Sequence, residues 1–213
     1  MGAYAERRIF DKVGGRLCLD YTNTMSGLRG RKPSERLFEY ADVVWWGQQT
    51  GLVTPRRAEE LLAEAQRHPR RAAQAFQDAI VAREALHDVV LAGSEGRPPP
   101  PVALEALNLW IADALSHRRL RPAGPGRFQV EFADDGDLLA FLRPVAADAG
   151  LLLEHELPTG RVRICEQSVE ANCGWLFLDQ TRNHSRRWCA MGDCGNRAKA
   201  RRHYQRAKAA RQG

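Results

Sequence analysis

The sequence predicts a mainly α-helical protein with a few short strands (α+β): a helical N-terminal domain followed by a small treble-clef-like zinc finger. Three observations lead there. From residue 34 to 157 apolar side chains recur at helical spacing, in segments opened by Ser, Thr or Pro and closed by Gly or Pro. Near Leu157-Pro158-Thr159-Gly160 this alanine- and leucine-rich background gives way to cysteines, tryptophans and arginines. Four of the five cysteines lie beyond that point. The expected domains are therefore residues 1–157 and 161–213.

In chain order, Gly15-Arg16-Leu17-Cys18-Leu19-Asp20-Tyr21 alternates apolar and polar after a Gly-Gly turn, which predicts a strand. Ser34 is placed to cap a helix carrying Leu37, Phe38, Tyr40, Val44 and Trp45, closed by Gly51. Thr54-Pro55 sets an N-cap and a first-turn proline for a helix through about Arg67, and Pro69 opens another up to Gly93. Four prolines make Gly93–Pro101 a loop, and Val102–His117 is helical again. Arg127–Phe132 alternates like a strand, and Asp137 can cap a helix reaching Glu156 with a break at Pro144. Beyond the boundary, Trp175–Asp179 is expected to pair with Arg186-Arg187-Trp188, and Arg197–Arg211 to form a final helix.

Composition is that of a globular chain: 213 residues, 44% hydrophobic and 27% charged. No apolar run approaches the roughly 20 residues of a membrane helix. Met1–Glu6 offers neither a secretory h-region nor an acylation motif, so the expected location is the cytoplasm, where thiols stay reduced. Charge is segregated. Residues 182–213 hold ten basic side chains against Asp193 alone, which leaves a net −3 on residues 1–181 of a chain that is +6 overall. A polyanionic partner is expected for the tail only.

The tail reads Cys165, seven residues, Cys173, fifteen residues, Cys189, four residues, Cys194. Two close pairs can each form a knuckle supplying two thiolates to one tetrahedral ion. Four sulfurs select zinc or an iron–sulfur centre, and the compact basic tail favours one structural Zn2+. Such a small segment has little core of its own, which makes a metal the natural staple. His184 is the alternative to Cys165, the least secure ligand, while Cys18 reads as a buried apolar residue. On the final helix Ala200, His203, Ala207 and Ala210 form a small-residue docking stripe. Arg197, Arg201, Tyr204 and Lys208 form one outward ridge, and Lys199, Arg202 and Arg206 another. With Arg186 and Arg187, these basic residues are the expected nucleic-acid contacts.

Arg186-Arg187-Trp188-Cys189 followed by Cys194-Gly195-Asn196-Arg197 closely resembles the CGNR zinc finger, and Cys173-Gly174-Trp175-Leu176-Phe177-Leu178-Asp179 is similar to its first half. Leu19-Asp20-Tyr21-Thr22-Asn23-Thr24 and Thr50-Gly51-Leu52 resemble the ABATE domain that precedes this finger. The wider gap between Cys165 and Cys173 departs from the family pattern. The resemblance implies a stress-induced transcription regulator that binds DNA through the finger and senses a small molecule through the body. Asp20, Asn23, Trp45 and Trp46 are the candidate ligand residues.

The leading expectation is thus a regulator binding double-stranded DNA, with a small-molecule effector and a homodimeric state as further expectations. An enzyme is not expected, because no nucleophile elbow, phosphate loop, HExxH or dinucleotide fingerprint occurs. His87 reads as a surface or boundary residue. The alternatives are an enzyme housed in the body, or an RNA- or protein-interaction module using the finger.

Overall fold

A computed structural model describes residues 9–210; Met1–Glu6 and Arg211 lie outside them. Thr54 accepts a hydrogen bond from the Arg57 amide at 3.2 Å and opens a helix at Pro55–Arg67, as its sequence dictates. Counting this as α3, the helices before it are α1 (Leu17–Thr22) and α2 (Tyr40–Gln49). Those after it are α4 (Pro69–Ser94), α5 (Pro101–Ser116), α6 (Arg143–Leu151) and α7 (Asn196–Ala210). Three separate two-stranded antiparallel pairs complete the chain: β1 (Met25–Ser26) with β2 (Ser34–Glu35), β3 (Arg118–Pro122) with β4 (Phe128–Phe132), and β5 (Val162–Ile164) with β6 (Leu176–Leu178). This is the expected helical chain with short strands. Among the described residues no helix is long and apolar enough to cross a membrane.

Three local expectations are corrected and one unforeseen strand is added. The segment 15–21 is helical from Leu17, because both faces of the short α1 are packed: Cys18, Leu19, Tyr21 and Thr22 are all fully buried. Tertiary burial here overrides the alternating pattern. Helix α2 starts at Tyr40 rather than after Ser34. A reciprocal capping box between Glu39 and Asp42 fixes that start, and Ser34 belongs to β2 instead. Strand β4 pairs with Arg118–Pro122, a basic segment with no strand signal of its own. His87 is buried, its Nδ1 3.0 Å from Asp88.

The largest core cluster gathers Leu19, Tyr21, Trp46, Leu86, Val90, Leu107, Leu142 and Leu152 from four helices and the turns on either side of α6. It also takes in Val162, Leu176 and Leu178 from β5 and β6, so body and tail share one apolar core. Cys18 is fully buried in it, as expected of an inert thiol.

Candidate metal centre and basic helix

Strands β5 and β6 form the stem of a hairpin whose tip is the first knuckle. The Cys165 amide donates to the Trp175 carbonyl at 2.8 Å and continues the ladder to the edge of the site. The seven-residue gap is folded into a compact turn: the Ser168 amide donates to the Cys165 carbonyl at 2.9 Å, and the Gly174 amide to the Ser168 hydroxyl at 3.3 Å. The wider spacing is thus accommodated without removing Cys165 from the site. The second knuckle, Cys189 to Cys194, runs directly into α7, so Cys194 stands at the positive end of a helix. Arg186–Trp188 is not the partner strand of β6. It lies beyond the hairpin and reaches it through the Glu166 amide, which donates to the Arg187 carbonyl at 3.0 Å.

All four sulfurs lie within 4.8 Å of one another and all four residues are buried. Cys173 Sγ is 3.5 Å from Cys189 Sγ, and Cys189 Sγ is 3.6 Å from Cys194 Sγ. A tetrahedral ion with Zn–S bonds of about 2.3 Å requires sulfur separations of about 3.8 Å. The donor set therefore fits zinc in number, softness and spacing. Crowding alone splits the thiols. Hydrogen bonds from Cys173 and Cys189 draw the Cys165 pKa well below the ordinary thiol range, while the Cys165 hydrogen bond drives that of Cys173 up. Four thiolates need a cation between them. The Cys189 amide, 3.4 Å from Cys165 Sγ, and the Arg197 guanidinium, 3.7 Å from Cys194 Sγ, supply donors to the sulfurs from outside the cluster. His184 is exposed and stands outside the four-sulfur group.

The knuckle is fastened to the body. Gly27 and Cys173 are joined by an amide–carbonyl bond of 2.8 Å, and the Trp175 indole donates to the Met25 carbonyl at 3.1 Å. Gly27 (φ 85°) and Gly174 (φ 69°) touch back to back, and a Cβ on Gly174 would be driven into the Gly27 carbonyl. Asn172 accepts from the Leu28 amide at 3.0 Å and donates to the Lys32 carbonyl at 2.5 Å. Behind this contact the fully buried Arg83 of α4 grips Glu35 at 2.6 and 2.7 Å and Thr24 at 3.2 Å, fixing both ends of the β1–β2 hairpin.

The expected basic residues divide into three kinds. Arg186 turns inward: its guanidinium donates to the carbonyls of Val13 (2.7 Å), Trp188 (3.0 Å), Leu178 (3.4 Å) and Cys189, and lies 4.4 Å over the Phe177 ring. Arg187, Arg197 and Arg201 face outward but are paired with Glu166, Asp193 and Glu170. Lys199, Arg202, Arg206 and Lys208 are exposed and have no ion pair among the described residues, Arg202 lying 5.9 Å over the Trp188 ring. The alanine stripe does not dock. Ala200, His203 and Ala207 are exposed, Ala198 in the first turn is buried, and the Ala210 side chain lies outside those described. Helix α7 therefore projects from the zinc centre, about 22 Å long at 1.5 Å per residue.

The four candidate ligand residues are each engaged in the packing of the fold. Asn23 is bonded to the Leu176 backbone, and Asp20 accepts from the Gly14 amide at 2.8 Å. Trp46 is fully buried, 4.9 Å from the Tyr21 ring, and Trp45 packs against the main core.

A helical body fused to a four-cysteine knuckle pair that opens into a basic helix defines a zinc-finger protein. Residues 161–207 match the CGNR zinc finger, and residues 15–156 match the ABATE family, described as "Putative stress-induced transcription regulator". The chain belongs to this ABATE–CGNR family, and its four cysteines hold one structural zinc ion. A search of curated proteins finds no match to it.

Proposed function

We propose that the protein is a DNA-binding transcription regulator in which the module 161–213 contacts double-stranded DNA and the body 1–157 carries it. The observation that supports this best is the projecting helix α7. Lys199, Arg202 and Arg206 lie along one exposed face and Lys208 on the ridge opposite, and no carboxylate among the described residues is paired to them. Such a helix suits a major groove or its flanking phosphates. Arg187, Arg197 and Arg201 join the contact by exchanging exposed carboxylate partners for phosphates, an exchange that costs little because surface pairs contribute only about 0–1 kcal/mol. Arg186 takes no part, since its donors are spent inside the finger. The family description supports a regulator over an enzyme.

The test is the salt dependence of binding to a random 30-base-pair duplex. Replacing Lys199, Arg202 and Arg206 with Ala should flatten the log–log slope by about three units, one for each phosphate no longer neutralised. An unchanged slope in a triple variant that retains its zinc would remove α7 from the interface.

A further inference from the structure

Between the start of α3, strand β4 and the turn leading into α6 lies a cavity of about 570 Å³, within the roughly 300–1,000 Å³ range of small-molecule sites. None of the candidate ligand residues from the sequence lines it. Its walls are apolar: Leu52 and Leu61 on one side, Val130 and Phe132 on the strand, Ala140 and Phe141 at the back. Val130 is 43% exposed and Phe132 only half-buried, although both belong to the apolar face of the hairpin. The wall is thus an incompletely covered hydrophobic surface, not a filled core.

The polar groups at the rim are Arg57, Glu131, Asp134 and Asp137. Arg57 is held between Asp134 at 2.7 Å and Glu60 at 3.3 Å, so its charge is already compensated. Glu131 meets Arg121 at 2.5 Å, and Asp137 stands 4.0 Å from Arg143. Taking these partners together with the rim, four carboxylates face three guanidinium groups. An anion would meet a net negative rim and a guanidinium that is not free. A cation is favoured at the rim while its apolar part fills the groove.

We propose that this cavity binds small amphipathic cations, an apolar or aromatic body bearing one positively charged nitrogen. The site goes beyond the nucleic-acid reading and does not depend on it. Phe141 links it to the interior: its ring lies against Gly47, where a Cβ would clash, and it packs on both large core clusters.

The test uses the full-length zinc-loaded chain and two dyes of opposite charge, rhodamine 6G (a hydrophobic monocation) and anilinonaphthalene sulfonate (a hydrophobic anion), followed by fluorescence anisotropy. Rhodamine 6G should saturate one site at least about tenfold more tightly than the anion, as expected for a like-charge penalty at the rim. Val130→Trp, on an exposed strand position, should fill the groove and weaken rhodamine 6G about tenfold or more by removing the apolar contact. Glu131→Gln with Asp137→Asn should narrow the preference between the dyes. Hydrogen exchange gives a readout without mutation: the cation should slow exchange in 128–132 and 138–141. Equal or tighter binding of the anion would overturn the proposal. So would unchanged rhodamine 6G binding in a Val130→Trp protein of normal melting temperature, or the absence of local protection.

Discussion

The side-chain amide of Asn23 donates to the Leu176 carbonyl at 2.9 Å and accepts from the Leu176 amide at 3.0 Å, so one residue of the body acts as a third strand for the zinc hairpin. Both partners are buried in the core that body and tail share. The residue that sequence motifs singled out as a ligand contact is engaged as a joint between the two parts of the chain. Asn23→Ala would leave a buried amide and carbonyl of β6 without partners. The expected loss is about 2–6 kcal/mol, at about 1–3 kcal/mol for each group orphaned. Chemical denaturation measures it.

Removing the metal should loosen more than the finger. Because Gly27, Leu28, Lys32 and Met25 are bonded to the knuckle around Cys173, chelation or Cys189→Ser/Cys194→Ser should expose 25–35 as well as 161–210 to hydrogen exchange. Retention of stoichiometric zinc in the double variant would contradict the four-sulfur site. Protection of 25–35 after zinc loss would show that the joint survives on Arg83 alone.

Arg83→Met tests the other anchor of the β1–β2 hairpin. It removes the Arg83 guanidinium from Glu35, and the expected cost is at most about 3 kcal/mol, the low end for breaking a buried pair, because Glu35 is partly exposed and keeps the Arg36 and Leu37 amides. The same pair predicts a pH dependence. Burial alone would raise the Glu35 carboxyl, but the hydrogen bond and charge of Arg83 overcome it and hold it below its ordinary 4.5. A depressed carboxylate stabilises the fold above pH 4.5, and that contribution is lost as pH falls through the lowered value. Acid denaturation of Arg83→Met should show less of this component, the part held by the Arg36 and Leu37 amides remaining.

Asp20 has the opposite sign. Burial pushes its carboxyl from 3.8 up to about 6, against the hydrogen bond from Gly14. The stability it contributes is present below pH 3.8 and is lost as pH rises through 6. Asp20→Asn keeps an acceptor for the Gly14 amide without the buried charge. It should be more stable than wild type above pH 6 and flatten the profile between 4 and 6. Equal stability at pH 7 would mean that the ionised Asp20 carries no burial penalty.

Arg186 and Arg202 separate structure from binding. Arg186→Ala removes donors to four backbone carbonyls and should lower melting temperature and zinc retention. Arg202→Ala should leave both unchanged and reduce the salt slope of DNA binding by about one unit. Reversal of these effects in melting and binding assays would overturn the division of the basic residues.

The zinc ligands and most helix boundaries were legible in the chain itself. Thr54-Pro55, Pro69 and the run Gly93–Pro101 dictate local geometry whatever surrounds them, because caps and prolines act within a few residues. The cysteine spacing was legible because the thiolates of one tetrahedral ion must be offered at short range. The partner of β6 was not: Val162–Ile164 and Arg186–Trp188 flank it, and the alternation of a three-residue strand suits either. Helix α1 was misread because burial on all sides hides its period. The alanine stripe of α7 likewise suggested a docked helix, yet Ala200, His203 and Ala207 on that face are exposed. What the sequence determined are features whose cause is local: caps, breaks, metal ligands and the segregation of charge. The tertiary structure alone decided that Asn23 closes onto Leu176, that Arg186 turns inward, and that a cavity opens at β4. Each depends on groups far apart in the chain meeting at hydrogen-bond distance, and one-dimensional periodicity carries no record of that.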